Sequence, residues 1–199
     1  MEQNTQKITI FQNIQDTATP FFRDVNVIFE RIKSGKSKDL VDKIRTHKTK
    51  EKRNELKKGL PAICFSGQFN KREDSSILQH SGLICLDFDG FNTPSQLKAT
   101  RKKLIEDKHS FSVFTSPSGN GLKVIVKIPE DIDNHKLYFL ALQDYYKSDH
   151  FDATCKNISR VCYESYDPEI YVNLKSRHWT KIKEDNYEHI THQNGKKTI

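Results

Sequence analysis

Hydrophobic positions recur along this chain with two periods, and the period changes with position. Residues 6–14, QKITIFQNI, and 61–67, PAICFSG, carry short apolar runs of strand length. Residues 81–90, SGLICLDFDG, form a longer apolar run that ends at Gly90. Residues 110–116, SFSVFTS, and 122–128, LKVIVKI, flank the tight stretch PSGNG, which predicts a hairpin. Helical spacing appears in Val25, Ile28, Phe29 and Ile32, then in Leu40, Val41 and Ile44. A partner helix at 49–58 is nearly all charge. Thr93-Pro94-Ser95 is a helix start for 95–107, and residues 133–147 carry Leu137, Phe139, Leu140 and Leu142. A turn is expected around Pro20, a polar loop over 68–80, and short strands and loops beyond 158. Strands and helices alternate, but the hairpin breaks a purely parallel order. The expected class is therefore α/β or α+β, a mixed sheet with flanking helices. A single domain over 1–184, followed by a polar tail at 185–199, is the expected organisation.

One strand carries a chemical question. In LICLDFDG, Asp87 and Asp89 are two residues apart, so they share a face and Phe88 points the other way. Paired carboxylates at the end of a buried strand are costly without a cation. Oxygen ligands on one face suit hard divalent ions, Mg²⁺ or Mn²⁺. The plainer alternative is a strand end whose carboxylates reach solvent.

A second stretch, TSPSGNGLKVIV, supplies Ser116 and Ser118 hydroxyls, and glycines 119 and 121 that let backbone approach a ligand. Lys123 follows on the new strand, placed to meet a phosphate. Its strand alternates, with Lys123, Ile125 and Lys127 on one face and the aliphatic Val124, Val126 and Ile128 on the other. That pattern puts Lys123 on the open side. An ordinary hairpin turn is the alternative, and the spacing is not that of a Walker A loop. A third stretch, DHFDATCKNISRVCYESYDP, offers Asp152 as a further carboxylate and Arg160 as a phosphate ligand, with Asp149 and Asp167 as competing acids.

Composition narrows the setting. The formal net charge is +7, and much of the excess lies in residues 31–58. A solvated helix face explains such charge; so does a footprint for a polyanion, with Lys48, Lys50, Lys52 and Arg53 as the contacts to a nucleic-acid backbone. No stretch approaches the roughly 18 apolar residues of a membrane span, and the N-terminal stretch lacks the features of a secretory signal, so a cytoplasmic setting without membrane contact is expected. The four cysteines form no CxxC and no zinc spacing, so no metal or disulfide role is assigned to them.

Taken together, two acids on a strand, a Ser/Gly loop with a cation, and an acid and an arginine downstream form a kit for a metal–nucleoside triphosphate. At this point the chain resembles the BT4734-like (VirE N-terminal) domain family of phage and mobile-element proteins. That family is similar to the archaeo-eukaryotic primase (primase-polymerase) superfamily. The resemblance runs from ITIFQNI through LKKGLPAICFSGQF, HSGLICLDFDG and SPSGNGLKVIV to SRVCYESYDPEIYVN. It implies a primase-polymerase-like nucleotidyltransferase of DNA replication. Asp87, Asp89 and Asp152 would be its catalytic and metal-binding acids. Ser116, Ser118, Gly119, Gly121, Lys123 and Arg160 would bind nucleotide. Single-stranded DNA would be the template, Mg²⁺ or Mn²⁺ the cofactor and a helicase-like ATPase a partner. Lys123 stands where the superfamily usually has histidine. Two other readings stay open: a non-catalytic single-strand-binding module of the same fold, and a haloacid-dehalogenase-type phosphatase. In the second, Asp87 would be the nucleophile and Asp89 the acid, although Phe91 stands where Thr or Val is expected and 86 residues precede a motif that usually opens its domain.

Overall fold

A computed structural model describes residues 6–184; the expected tail at 185–199 lies outside the described residues. Strand β1 (Lys7–Phe11) is central in the first sheet. It pairs antiparallel with β2 (Phe21–Asp24) and with β3 (Ala62–Cys64). Asp24 ends β2 and caps α1 (Val25–Ser34), accepting a hydrogen bond from the Asn26 amide at 2.9 Å. Val25, Ile28, Phe29 and Ile32 are the buried face of α1, as their spacing predicts. Gly35 stops the helix at φ +79°, a conformation that favours glycine, with its N–H on the Arg31 carbonyl.

Two further helices follow, α2 (Lys38–Thr46) and α3 (Lys50–Lys57). Val41 and Ile44 anchor α2 on Leu60, whereas α3 buries none of its residues. Strands β4 (Gly67–Phe69) and β5 (Ile77–His80) form a small bulged hairpin where a polar loop was expected. β4 is only three residues long and β5 does not alternate, so no period was there to read. β2 was hidden in the same way by its exposed, four-residue length after Pro20.

The second sheet holds the chemistry-bearing stretches. Strand β6 (Leu83–Phe88) leads into α4 (Pro94–Glu106), which begins at a capping box between Thr93 and Gln96. Strand β7 (Ser110–Thr115) follows, then β8 (Leu122–Lys127), α5 (His135–Tyr146), β9 (Cys162–Tyr163) and β10 (Tyr171–Val172). The sheet order is β10-β7-β8-β6, and β9 joins the first sheet as β2-β1-β3-β9. β6 and β7 are joined by α4 as a crossover would join neighbours, but β8 turns back between them, antiparallel to both. The class is α+β, with every described strand pair antiparallel: two four-stranded sheets and a hairpin take the place of one mixed sheet.

Both faces of the second sheet are covered. Ile84, Leu86, Phe88, Val124 and Val126 pack on Phe139 and Leu142 of α5 and Leu104 of α4. The other face meets the first sheet and α1 through Phe29, Phe65, Phe111, Phe114 and Ile125. This corrects the placement of Lys123. The face it shares with the fully buried Ile125 is not open, and its side chain is only 12% exposed. Central position in the sheet, not the alternation of one strand, decides that.

Candidate functional site

The register of β6 and β8 sets Asp87 directly opposite Lys123. Opposed residues of an antiparallel pair share a face, so the two side chains meet. The Lys123 ammonium donates to Asp87 Oδ2, and both side chains are largely buried. Burial works against the ammonium, but the Asp87 carboxylate outweighs it and raises the lysine's pKa. The second oxygen, Asp87 Oδ1, is buried and has no hydrogen-bond partner.

The loop after α5 lies along the free edge of β6. The Asp152 amide donates to the Asp87 carbonyl and the Asp89 amide to the His150 carbonyl, each at 2.8 Å, with a bridge between Phe88 and Phe151. This docking carries Asp152 to the end of β6. Among the described residues, Asp87, Asp152 and Cys155 bring ligand atoms within 4.8 Å of one another. Asp152 is buried enough to raise its pKa, but hydrogen bonds from the Thr154 hydroxyl and amide and the Cys155 thiol win and lower it. Burial, reinforced by Asp152, pushes the Cys155 thiol up to about 12. At neutral pH Asp152 is therefore ionised and the Cys155 thiol protonated. Cysteine spacing gave no hint of Cys155; its position three residues after Asp152 was the available signal.

Asp89 is not in that cluster. Its carboxylate turns toward β8, where a methyl group on Gly121 would collide with Asp89 Oδ1 and stand 3.0 Å from the Phe88 carbonyl oxygen and 3.1 Å from Ser116 Oγ. Burial, then the Asp87 charge, raise the Asp89 pKa. The loop between β7 and β8 is a tight turn: the Ser116 amide donates to the Gly121 carbonyl at 2.8 Å, and Gly119, at φ +79°, donates to the Ser116 carbonyl. The guanidinium of Arg45 on α2 holds this turn, donating to the carbonyls of Ser116 and Tyr166. Ser116 Oγ is buried without a partner. Arg45 was not singled out by sequence reasoning, since only the docking of α2 brings it there.

Asp87, Asp89, Lys123 and the β7–β8 turn face a cleft of about 430 Å³. Its walls are Asp87, Asp89 and Gly90 on one side and Ser116, Pro117, Ser118, Asn120 and Lys123 on another. Helix α3 closes it with Lys50, Arg53, Asn54 and Lys57, which recur at helical spacing on one face. Burial lowers the Lys57 pKa, although Asp89 opposes the shift. Of the four basic residues singled out in sequence, Lys50 and Arg53 line the cleft. Lys52 instead pairs with Glu55 at 2.9 Å, and exposed Lys48 is not on the lining.

Arg160 also stands apart. It donates to the Thr154 carbonyl at 2.7 Å and lines a separate polar pocket with Arg72, Asn157 and Ser159. The competing acid Asp167 is a brace: it accepts from Arg101 and from the Thr115 amide, each at 2.7 Å. Glu164, fully buried, likewise ties α1 to the second half of the chain through Arg31 at 2.6 Å and through Ser37.

Comparison with known proteins adds three findings. No curated protein matches the chain. Its structure is similar to the archaeo-eukaryotic primase domain of the cyanophage S-2L primase-polymerase, at 14% identity and a TM-score of 0.45, covering 88% of this chain and 84% of that one. Residues 55–172 match the model of the BT4734-like N-terminal domain, a span of more than half the sequence that takes in the last turn of α3 and Asp87, Asp89, Lys123 and Asp152. The chain is thus a member of the BT4734-like N-terminal domain family.

Proposed function

We propose that this cleft binds a nucleoside triphosphate with Mg²⁺ or Mn²⁺ and a single-stranded DNA template, as a primase-polymerase-like nucleotidyltransferase. One observation carries the reading. Carboxylates suited to a metal and cations suited to phosphates line the same cleft, from three separate stretches of chain, and Asp152 stands beside Asp87. The residues fit a hard divalent ion, since Asp87 Oδ1 is a buried oxygen without a partner and Asp152 brings a second carboxylate beside it. Asp87 and Asp152 would hold the ion, with Asp89 beside them. Such an ion neutralises phosphate charge and orients the reacting oxygens.

The remaining work belongs to the chain's own groups. Lys123 and Lys57 supply cations for the triphosphate, and the Ser116 and Ser118 hydroxyls add donors at the turn. Gly121 allows the turn to approach Asp89 closely. Lys50 and Arg53 lie at the outer end of the α3 face, where a template backbone would run. A reading without catalysis has one observation in its favour: Lys123 already neutralises Asp87. The test is incorporation of a labelled nucleotide on single-stranded DNA with Mn²⁺, for wild type, Asp87→Asn and Asp152→Asn. The proposal expects incorporation that both substitutions abolish. DNA binding without incorporation in the wild type would support the binding module instead.

A further inference from the structure

Lys123 balances the carboxylate charge that a metal would need. Its ammonium sits on Asp87 Oδ2, and the strand register holds the two residues opposite each other, so the pairing is built into the sheet. A divalent ion approaching Asp87 and Asp152 meets a carboxylate whose charge is already balanced and a cation at close range. The cleft also contains the means of removing that cation. Lys50, Arg53 and Lys57 line it, and no carboxylate of the described residues lies within ion-pair distance of any of the three. Phosphates are drawn to that wall, and they offer the Lys123 ammonium a second anionic partner.

We infer that Lys123 is a gate that couples phosphate binding to metal binding. With the cleft empty it closes the metal site by holding Asp87. With a triphosphate present it turns to the phosphates and releases Asp87 for the ion. A lysine suits this role because its charge is a point at the end of a flexible four-carbon stem that can change partners while its backbone stays in the strand. By linkage, each ligand strengthens the other to the same degree. The inference rests on the reading of the cleft as a metal–triphosphate site.

The test separates the two ligands. Mn²⁺ alone is titrated into wild type, Lys123→Gln and Asp87→Asn, with free ion followed by electron paramagnetic resonance. A fluorescent non-hydrolysable nucleoside triphosphate is titrated separately in chelator. Lys123→Gln should bind Mn²⁺ on the order of tenfold tighter than wild type, the scale of one charge-assisted bond released. It should also bind metal-free triphosphate less tightly than wild type. Lys123→Met, which strips Asp87 of its counter-charge, should melt below wild type and regain more melting temperature from Mn²⁺ than wild type does. Equal Mn²⁺ affinity in wild type and Lys123→Gln, with equal melting shifts for Lys123→Met and wild type, would overturn the gate and leave the cleft reading standing. If no variant binds Mn²⁺ or triphosphate, or Asp87→Asn binds both like wild type, the cleft reading falls and the gate with it.

Discussion

Replacing Gly121 by alanine tests whether the contact between the β7–β8 turn and Asp89 positions the site. Gly121 is buried just before β8, and its φ is not in the left-handed region, so alanine meets no backbone strain. The new methyl collides with Asp89 Oδ1 and crowds the Phe88 carbonyl oxygen at 3.0 Å and Ser116 Oγ at 3.1 Å. The carboxylate can swing away; the carbonyl belongs to β6 and cannot move alone. Overpacking of this kind costs about 1–3 kcal/mol, and the lower chain entropy of alanine in the unfolded state returns about 0.4–1 kcal/mol. The net loss is about 1–2 kcal/mol, or a melting temperature about 2–8 °C lower for a chain of this size. Displacing Asp89 should also weaken Mn²⁺–triphosphate binding on the order of tenfold. Calorimetry gives the first quantity and nucleotide titration at 20–25 °C, far below melting, the second. Gly35→Ala is the control: it strains the αL end of α1 and crowds Tyr166, so it should melt lower without changing triphosphate affinity. A Gly121→Ala protein with wild-type stability and wild-type affinity would refute the reasoning.

Three other outcomes follow from the same structure. The buried His80 Nε2–H donates to His135 Nδ1 at 3.0 Å, because His80 Nδ1 already accepts from the Gly82 amide, and burial lowers the two pKa values to about 4 and about 3. The unfolded chain takes up protons first, so stability is complete above pH 6.5 and falls as pH drops toward 4, by about 3 kcal/mol for His80 alone; urea unfolding across that range should show the slope, and His135→Gln should flatten it. Alanine at Lys50 or Arg53 should reduce the salt slope of single-strand binding by about 0.7 each, while Lys52→Ala, whose charge faces Glu55, should leave it unchanged in filter-binding titrations. Glu164→Ala should cost about 3 kcal/mol in urea unfolding, the low end for a broken buried pair because Arg31 keeps 31% exposure.

The run LICLDFDG declared its strand and its two acids because β6 is apolar on both faces up to Asp87, and the α1 and α5 periods declared their helices. What the acids face was not legible. The Asp87–Lys123 pairing depends on β8 returning between β6 and β7, a topological fact with no local signal. Helix α3 hid its role for a related reason. With no buried residue it has no apolar stripe to orient it, so nothing in KEKRNELK separates cleft-facing Lys50, Arg53 and Lys57 from outward Lys52. Arg160 was drawn toward the site by its residue type, whereas the turn after Asp152 sends its guanidinium to the Thr154 carbonyl.

The central claim is that metal and triphosphate share the cleft between β6, the β7–β8 turn and α3. The most direct measurement is a crystal structure with Mn²⁺ and a non-hydrolysable nucleoside triphosphate, with anomalous scattering used to place the metal. The account predicts a manganese peak between the Asp87 and Asp152 carboxylates, with the phosphates against Lys123 and Lys57. A nucleotide bound outside the cleft, or a cleft holding nucleotide with no manganese beside Asp87, would contradict it.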